Sequence, residues 1–171
     1  MNTAPMHAAP GRSRADDNTR PRGGWGRAVK DRLFRASTGL HRRVFRATKG
    51  RLLGRAMGMP VAELVTVGRR TGAERATMLA VPVSDADRLV LVASFGGDDR
   101  NPAWYLNLRA DPAVRVTFRG STRRMVARVA SRTERAELWP RIVATYPGYA
   151  RYQHRTEREL PVVVIETGRQ A

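Results

Sequence analysis

Three of the chain's four tyrosines stand near the C-terminal end, in the stretch "TYPGYARYQHRTEREL". Tyr146, Tyr149 and Tyr152 are spaced three residues apart, so they share one face if the segment is helical. A phenol combines an apolar ring with a hydrogen-bonding tip, which suits the lining of a ligand site. The residues alone leave two interpretations open: such a lining, or rings packed on the fold with their hydroxyls in water.

A basic turn, "GRRTGAER", is the second candidate for chemistry. Arg69, Arg70 and Arg75 lie close together, and Gly68 and Gly72 permit unusual backbone angles. Guanidinium groups bind phosphate and carboxylate through paired hydrogen bonds, so the turn is suited to an anionic ligand. It lacks the spacing of a phosphate-cradling P-loop, and a solvated hairpin turn is the alternative. No G-x-G-x-x-G follows a strand, which disfavours a Rossmann nicotinamide site.

The loop "SFGGDDRNPAWY" is the third candidate. Gly96 and Gly97 would let the backbone approach a flat ligand closely, and Pro102 stiffens the path into Trp104. The alternative is a plain connection between elements, with Trp104 in the core.

Other polar groups give weaker signals. The three histidines, His7, His41 and His154, show no ligand spacing, so we expect no metal site. The paired acids Asp98 and Asp99 resemble a solvated loop.

Composition narrows the possible partners and the compartment. The net charge is +17; residues 1–60 hold 14 basic and 3 acidic groups, a net of +11. This basic surface favours an anionic partner. The absence of cysteine excludes disulfides, thiolate zinc sites and thiol nucleophiles. No apolar run has the length of a membrane span, and no signal peptide is recognisable, so we expect a cytoplasmic protein.

The elements that must position these candidates are mostly strands. Six strands are predicted at "ELVTV", "ATMLAVPV", "RLVLVAS", "VRVTF", "TRRMVARVAS" and "PVVVIE". The first three are expected to form an antiparallel meander, and the next two a hairpin across "RG". Such a set commonly closes into a barrel, which removes exposed edges. We therefore predict an α+β split β-barrel of about six antiparallel strands, with an N-terminal helix and inserted helices.

The predicted boundaries divide the chain into three parts. Residues 1–24 are expected to be a disordered basic tail, residues 25–59 a helix and connection, and residues 60–171 the barrel. "AWYLNLRAD" and "SRTERAELWPRIVATY" are predicted to be helices. In the second, Ser131 and Glu134 have capping-box spacing, and Pro140 should kink the helix or mark its restart.

Taken together, these motifs resemble the deazaflavin (coenzyme F420)-dependent nitroreductase family, a branch of the split β-barrel flavin/deazaflavin oxidoreductases. The resemblance runs from about Leu40 to Glu166. It rests on "VTVGRRTGAER", "VASFGGDDRNPAWYLNLRADPAVRV" and "RAELWPRIVATYPGYARYQHRTERELPVVVIE", and more loosely on "HRRVFRATKGR".

The resemblance implies a split barrel that binds coenzyme F420 and transfers a hydride from the reduced deazaflavin. The acceptor would be a quinone, a nitroaromatic compound or an activated double bond. Tyr149 and Ser94 inherit the catalytic role, and Tyr146, Tyr152 and Ala80 inherit substrate contacts. Cofactor contacts pass to a larger set: Arg70, Arg75, Thr77, Ser94, Phe95, Gly96, Gly97, Pro102 and Trp104.

The chain departs from the family pattern at three positions. Met78 stands where a proline is usual, Ala80 where some members have an aromatic residue, and Phe95 where a lysine is common. The first two changes would reshape the substrate pocket. Phe95 removes a positive charge near the cofactor.

Two alternative functions stay open at this point, and the sequence also gives expectations about binding partners. One alternative is a non-catalytic F420-binding protein; the other, a nucleic-acid-binding module, is disfavoured by the few aromatic residues in the basic N-terminal part. We expect a small-molecule electron acceptor, no nucleic acid, and a monomer or homodimer. The basic helix predicted over residues 27–53 would suit peripheral binding to an anionic membrane surface.

Overall fold

The computed structural model describes residues 55–168, which build one curled antiparallel sheet and three helices. The strands are β1 (Arg55–Ala56), β2 (Met59–Val67), β3 (Glu74–Ala80), β4 (Val83–Ser84), β5 (Arg88–Val92), β6 (Ala113–Phe118), β7 (Ser121–Val129) and β8 (Val162–Glu166). The helices are α1 (Ala103–Ala110), α2 (Arg132–Thr145) and α3 (Gly148–Gln153).

The sheet runs in the order β1-β2-β6-β7-β8-β5-β4, and β3 pairs with Val61–Val67, the middle and end of the same β2 strand. Leu64 at the centre of β2 lies between Thr77 of β3 and Val116 of β6. Every pairing is antiparallel. The curled sheet and its few helices confirm the predicted α+β split-barrel class.

Two apolar clusters lie on opposite faces of the sheet. Leu89 and Leu91 of β5 point into the cluster enclosed by the curl, whereas Val90 and Val92 point into the cluster beneath α2 and α3. β8 alternates in the same way, because successive side chains of a strand point to opposite faces. β5 and β8 are therefore buried on both sides, which explains why their sequences are continuous apolar runs.

The hairpin of β6 and β7 is confirmed. Phe118 pairs with Ser121, and Arg119 and Gly120 between them have φ angles of 49° and 81°. Two consecutive positive φ angles are the mark of a type I′ turn, whose twist matches that of the flanking strands.

The predicted meander of the first three strands is wrong in part. β2 and β3 pair as expected, but "ATMLAVPV" breaks after Ala80, and only the short β4 beyond Pro82 pairs with β5. Proline has no N–H to donate to a sheet, which favours the break there. On its other edge, β5 pairs with β8, the last strand.

The sheet also begins before the predicted boundary at residue 60. β1 pairs with the start of β2 across a turn in which Met57 and Gly58 have positive φ angles. The predicted tail over residues 1–24 and the helix over residues 25–49 lie outside the described residues. Among residues 55–168, no helix has the length and apolar character needed to cross a membrane.

The capping box of α2 is confirmed. The Ser131 side chain accepts the Glu134 N–H, and the Glu134 carboxylate accepts the Ser131 N–H. Glu134 also pairs with Arg128 of β7, and these hydrogen bonds lower the pKa of Glu134 to about 2. The helix continues through Pro140 to Thr145, so of the two expected outcomes, a kink or a restart, the restart is absent.

Candidate functional site

The three tyrosines form one cluster of rings where α2 ends and α3 begins. The Tyr146 and Tyr149 centroids are 5.6 Å apart with perpendicular planes, and Tyr152 lies 6.3 Å from Tyr146 and 6.1 Å from Tyr149. All three rings contact the apolar cluster beneath α2 and α3. The predicted shared helical face holds for Tyr149 and Tyr152, which lie three residues apart on α3, whereas Tyr146 is the C-cap of α2 and lies outside α3.

Gly148 explains how Tyr146 joins a cluster that otherwise belongs to α3. The Tyr146 ring lies directly over Gly148, so close that a β-carbon at that position would overlap the ring and come within 2.6 Å of its hydroxyl oxygen. Pro147 precedes it as the N-cap, and the Tyr149 N–H donates to the Tyr146 carbonyl at 3.1 Å. The "YPGY" sequence thus folds the first ring back onto the other two.

Tyr149 is the most deeply placed of the three, with 4% of its surface exposed. Burial, together with the neighbouring phenols of Tyr152 and Tyr146, raises its pKa well above the usual range. Its hydroxyl therefore stays protonated at neutral pH and can donate a hydrogen bond. No partner for this hydroxyl lies among residues 55–168, and the oxygen is not among the fully enclosed polar atoms there. The ring is buried while the hydroxyl oxygen is not fully enclosed.

Tyr152 is half-buried and has a raised pKa for a different reason. The neighbouring Tyr146 hydroxyl is the largest cause, followed by burial. Arg155 and Arg151 act in the opposite direction, and the Arg155 guanidinium lies 5.7 Å from the centre of the Tyr152 ring. The tyrosine cluster is therefore bordered by the positive charges of Arg151 and Arg155.

Ala80 lies in the same apolar cluster as the tyrosines. Met78 is two residues earlier on β3, and therefore on the same face of the strand. Both residues are partly exposed. Two of the three positions that depart from the family pattern, Met78 and Ala80, thus share the face of the sheet on which the tyrosine rings pack.

The loop after β5 has an unusual backbone. Phe95, Gly96 and Gly97 form a short 3-10 turn in which all three φ angles are positive, at 47°, 69° and 83°. For Phe95 this conformation costs about 1 kcal/mol or more, because its β-carbon crowds the following carbonyl. The Phe95 side chain is 37% exposed and lies under the Arg100 guanidinium at 5.3 Å. Around Gly96, by contrast, a β-carbon would meet open space.

Gly97 joins this loop to the tyrosine helix. A β-carbon at Gly97 would lie 2.7 Å from the Tyr152 carbonyl oxygen and 3.0 Å from the Arg155 β-carbon. Arg155 also donates to the Gly96 carbonyl at 3.5 Å. Two of the three predicted groups, the glycine loop and the tyrosines, are therefore in direct contact.

The two acids of the loop are not simply solvated, as the sequence had indicated. The Thr156 hydroxyl, which is buried, donates to Asp99 at 2.8 Å. Asp98 accepts hydrogen bonds from the Arg100 side chain and main-chain N–H, which lower its pKa to about 2. Both carboxylates hold the loop in shape.

The basic turn connects β2 to β3 and is closed by its own backbone. Gly68 N–H donates to the Ala73 carbonyl at 2.9 Å, and Gly72 adopts a φ of 66°. Arg70 and Arg75 are exposed, and no carboxylate among residues 55–168 pairs with either. Arg75 and Thr77 occupy the same face of β3, with Thr77 half-buried. The turn thus presents two available guanidinium groups beside a hydroxyl.

Asn107 of α1 holds this turn, a role that sequence reasoning missed. It is 5% exposed, accepts from the Arg69 main-chain and side-chain nitrogens at 3.3 and 3.4 Å, and donates to the Thr66 hydroxyl at 3.1 Å. Thr66 in turn donates to the Arg75 carbonyl at 3.4 Å. One feature of the sequence could have indicated this role. Asn107 is an amide within an apolar stretch of a predicted helix, and a buried amide needs hydrogen-bond partners.

We expect Asn107→Leu to lower the free energy of unfolding by about 2 kcal/mol, because the buried Thr66 hydroxyl and the Arg69 N–H lose their partners. Binding of an anionic ligand at the turn should weaken by about threefold to fivefold, since the backbone bonds of the turn remain. Chemical denaturation and ligand titration measure the two effects. Thr117→Val, at an exposed hydroxyl pair on the β6–β7 hairpin, is the control. Equal affinities in the two variants would contradict this role.

Pro102 and Trp104 stand at the start of α1. Pro102 is buried and caps the helix, and its carbonyl accepts the Tyr105 N–H at 3.1 Å. Trp104 is 6% exposed and packs in the enclosed cluster, which fits the alternative that it is a core residue. The first turn of α1 therefore adjoins the glycine loop, and Asn107, about 7 Å further along the axis, holds the basic turn.

A groove of about 430 Å³ lies elsewhere, between the β4–β5 turn and the β6–β7 hairpin. Leu89, Val116 and Met125 contribute its apolar part, and Asp87 and Arg123 belong to its charged rim. None of the predicted site residues lines it.

The chain is similar to proteins of known family and known structure. The family described as F420H(2)-dependent quinone reductase matches residues 37–167. An F420H(2)-dependent quinone reductase of Mycobacterium tuberculosis is 36% identical over 130 residues, which cover 74% of this chain and 87% of that protein. A solved F420-H2 dependent reductase (FDR-A) is 35% identical with a TM-score of 0.58, covering 63% of this chain and 94% of that one. A second structure, described as a domain-swapped dimer, is 31% identical with a TM-score of 0.59, covering 74% and 96%.

Proposed function

Because the chain belongs to the F420H(2)-dependent quinone reductase family, we propose that it is an oxidoreductase that uses coenzyme F420 to reduce a quinone. When bound, the reduced cofactor supplies a hydride to the acceptor. The protein's contribution is to bind the cofactor and the acceptor, to align them and to exclude water. The observation that carries the proposal is the direct contact of the glycine loop with the tyrosine helix at Gly97.

The basic turn fits the anionic part of the cofactor. Arg70 and Arg75 have no carboxylate partner among the described residues, so they are available for a phosphodiester or a glutamate tail. Their guanidinium groups can donate paired hydrogen bonds to such oxygens. Asn107 holds the turn so that little ordering of the backbone is needed on binding.

The glycine loop fits the flat ring system. The open space at Gly96 leaves room for a ring to approach the backbone, and Ser94 precedes the turn with a half-buried side chain. Phe95, which stands where a lysine is common, supplies an apolar surface and places the Arg100 charge above it. We propose Ser94, Phe95, Gly96 and Gly97 as the contacts of this loop.

The tyrosines fit the acceptor side. Tyr149 keeps its proton, so its hydroxyl is suited to donating a hydrogen bond to a substrate oxygen rather than to acting as a base. Tyr146 and Tyr152 line the same cluster beside Ala80. Quinone carbonyl oxygens accept such a bond; nitro groups and carbonyls conjugated to a double bond would also do so, and we propose these as further acceptor classes.

We propose further that the protein is a homodimer and attaches to the membrane surface. The domain-swapped dimer among the similar structures supports a homodimer for this chain as well. The net charge of +11 over residues 1–60 supports peripheral attachment to an anionic membrane from the cytoplasmic side. Sedimentation with phosphatidylglycerol vesicles, compared with phosphatidylcholine vesicles, tests that attachment.

The direct test is a titration with coenzyme F420 followed by a panel of acceptors. The proposal requires binding in the micromolar range and oxidation of the reduced cofactor when a soluble quinone is added. Binding without turnover of any quinone, nitroaromatic or enone would instead favour the non-catalytic cofactor-binding protein.

Tyr149→Phe tests the acceptor side separately. We expect turnover at saturating cofactor to fall about tenfold, because one hydrogen bond to the acceptor is lost, while cofactor affinity stays within about twofold of the wild type. Stopped-flow oxidation of the reduced cofactor measures the first quantity. Tyr105→Phe, whose hydroxyl accepts from Arg109 near the other end of the site, is a matched control. Unchanged turnover in Tyr149→Phe would exclude this hydroxyl from the reaction.

A further inference from the structure

The guanidinium group of Arg158 forms hydrogen bonds along the glycine loop. Arg158 Nη2 donates to the carbonyls of Ala93 and Ser94 at 3.1 and 3.0 Å, and its Nε donates to the Asp98 carbonyl at 2.9 Å. Its Nη1 donates to the Asn101 side-chain oxygen at 3.0 Å. These four acceptors span the whole loop between β5 and α1. A planar group with donors in fixed directions can reach all of them together.

The main chain of Arg158 is held in turn by the end of the tyrosine helix. The Gln153 side chain of α3 donates to the Arg158 carbonyl at 2.8 Å and accepts the Leu160 N–H at 2.9 Å. The Arg158 N–H donates to the Thr156 hydroxyl at 3.3 Å. Arg158 is therefore the link between the loop proposed to hold the cofactor and the helix proposed to face the acceptor.

The same contacts leave the loop rich in free donors. The carbonyls of Ala93, Ser94 and Asp98 are engaged by Arg158. The N–H groups of Ser94, Phe95 and Gly96, by contrast, find no acceptor within residues 55–168. A loop with occupied carbonyls and available N–H groups suits a ligand that carries oxygen acceptors or negative charge.

We propose that Arg158 is a positioning residue of this reductase: it sets the glycine loop against the tyrosine helix and so fixes the separation of cofactor and acceptor. The inference rests on the proposed function. A displacement of about 1 Å at reacting atoms is enough to slow a transfer strongly, so the effect should appear in turnover as well as in binding.

Arg158→Lys is the first test, because lysine keeps the charge but cannot supply the planar set of donors. We expect F420 affinity to fall about tenfold and turnover at saturating cofactor to fall about tenfold as well. The KM for a soluble quinone should change less than about twofold. Arg132→Lys, at an exposed position on α2, is the matched control and should behave as wild type. Thermal unfolding of both variants shows whether the fold is retained.

Asn101→Ala is a second test that leaves the Arg158 charge in place and removes one acceptor. Here we expect about a threefold loss of turnover at saturating cofactor with a melting temperature near that of the wild type. If Arg158→Lys does not fold, this variant decides the question alone. Wild-type binding and turnover in every folded variant would overturn the inference while leaving the proposed function intact. A wild-type chain that binds no F420 overturns the proposed function itself.

Discussion

Gly97→Ala is expected to abolish cofactor binding within the measurable range and to lower the free energy of unfolding by about 3 kcal/mol. Two independent effects add at this position. Alanine is strained at a φ of 83°, and its β-carbon would lie 2.7 Å from the Tyr152 carbonyl oxygen. That oxygen belongs to the backbone of α3, so the loop and the helix must separate. Chemical denaturation and F420 titration measure the two losses.

Gly96→Ala is the matched control, because it isolates the strain from the overlap. Its φ of 69° is similar, but a β-carbon there meets nothing within 4 Å. We expect it to lower stability by only about 1 kcal/mol. If a ring lies over Gly96 as proposed, the affinity for F420 should still fall, since the new methyl group enters the ligand's space. Equal stabilities of the two variants would contradict the close packing of Gly97 on α3.

The double substitution Arg70→Gln with Arg75→Gln is expected to weaken F420 binding about a hundredfold or more. Each charge-assisted hydrogen bond to an anion contributes about 1.5–3 kcal/mol, and removal of two gives at least about 3 kcal/mol. Folding should be nearly unaffected, because both side chains are exposed and neither pairs with a carboxylate of the described residues. Titrations at two salt concentrations measure the affinity and its electrostatic part.

The salt dependence makes this test specific. Exposed ionic contacts are screened by salt, so wild-type affinity should fall as the salt concentration rises, and the double variant should respond less. Arg124→Gln together with Arg123→Gln removes the same charge from β7, which is separated from β2 by β6, and should leave affinity unchanged. If this control weakens binding as much as the Arg70 and Arg75 variant, the effect comes from net charge and not from a site at the turn.

Strands and turns were predictable where their signals are local. The β6–β7 hairpin follows from "RG" between two β-branched runs, and the capping box of α2 from Ser131 and Glu134. The pairing of β5 with β8 was not predictable, because both are continuous apolar runs that fit several neighbours equally well. β5 and β8 pair because each must be covered on both faces, and that requirement depends on the whole fold and not on local sequence.

The site was predictable as three groups but not as one assembly. Motif resemblance identified the glycines and tyrosines, whereas Arg158 stands in "RTERELP", a charged run typical of a solvated connection. Its contacts join residues about sixty positions apart, so no local pattern reveals them. For Trp104, the resemblance implied a contact with the cofactor, and the structure shows the side chain buried in the enclosed cluster. The roles assigned to individual site residues remain predictions.

Strands β5 and β8, enclosed on both faces, also determine when the site can come apart. The Ala93 N–H donates to the Pro161 carbonyl at 2.9 Å, so the glycine loop leaves β5 beside the point where the chain enters β8. Amides in such strands exchange with solvent only through the largest opening reactions, close to global unfolding. The floor of the site therefore belongs to the last cooperative unit to open. Because Gly96 already faces open space, a ligand can reach the loop without any opening of β5 or β8.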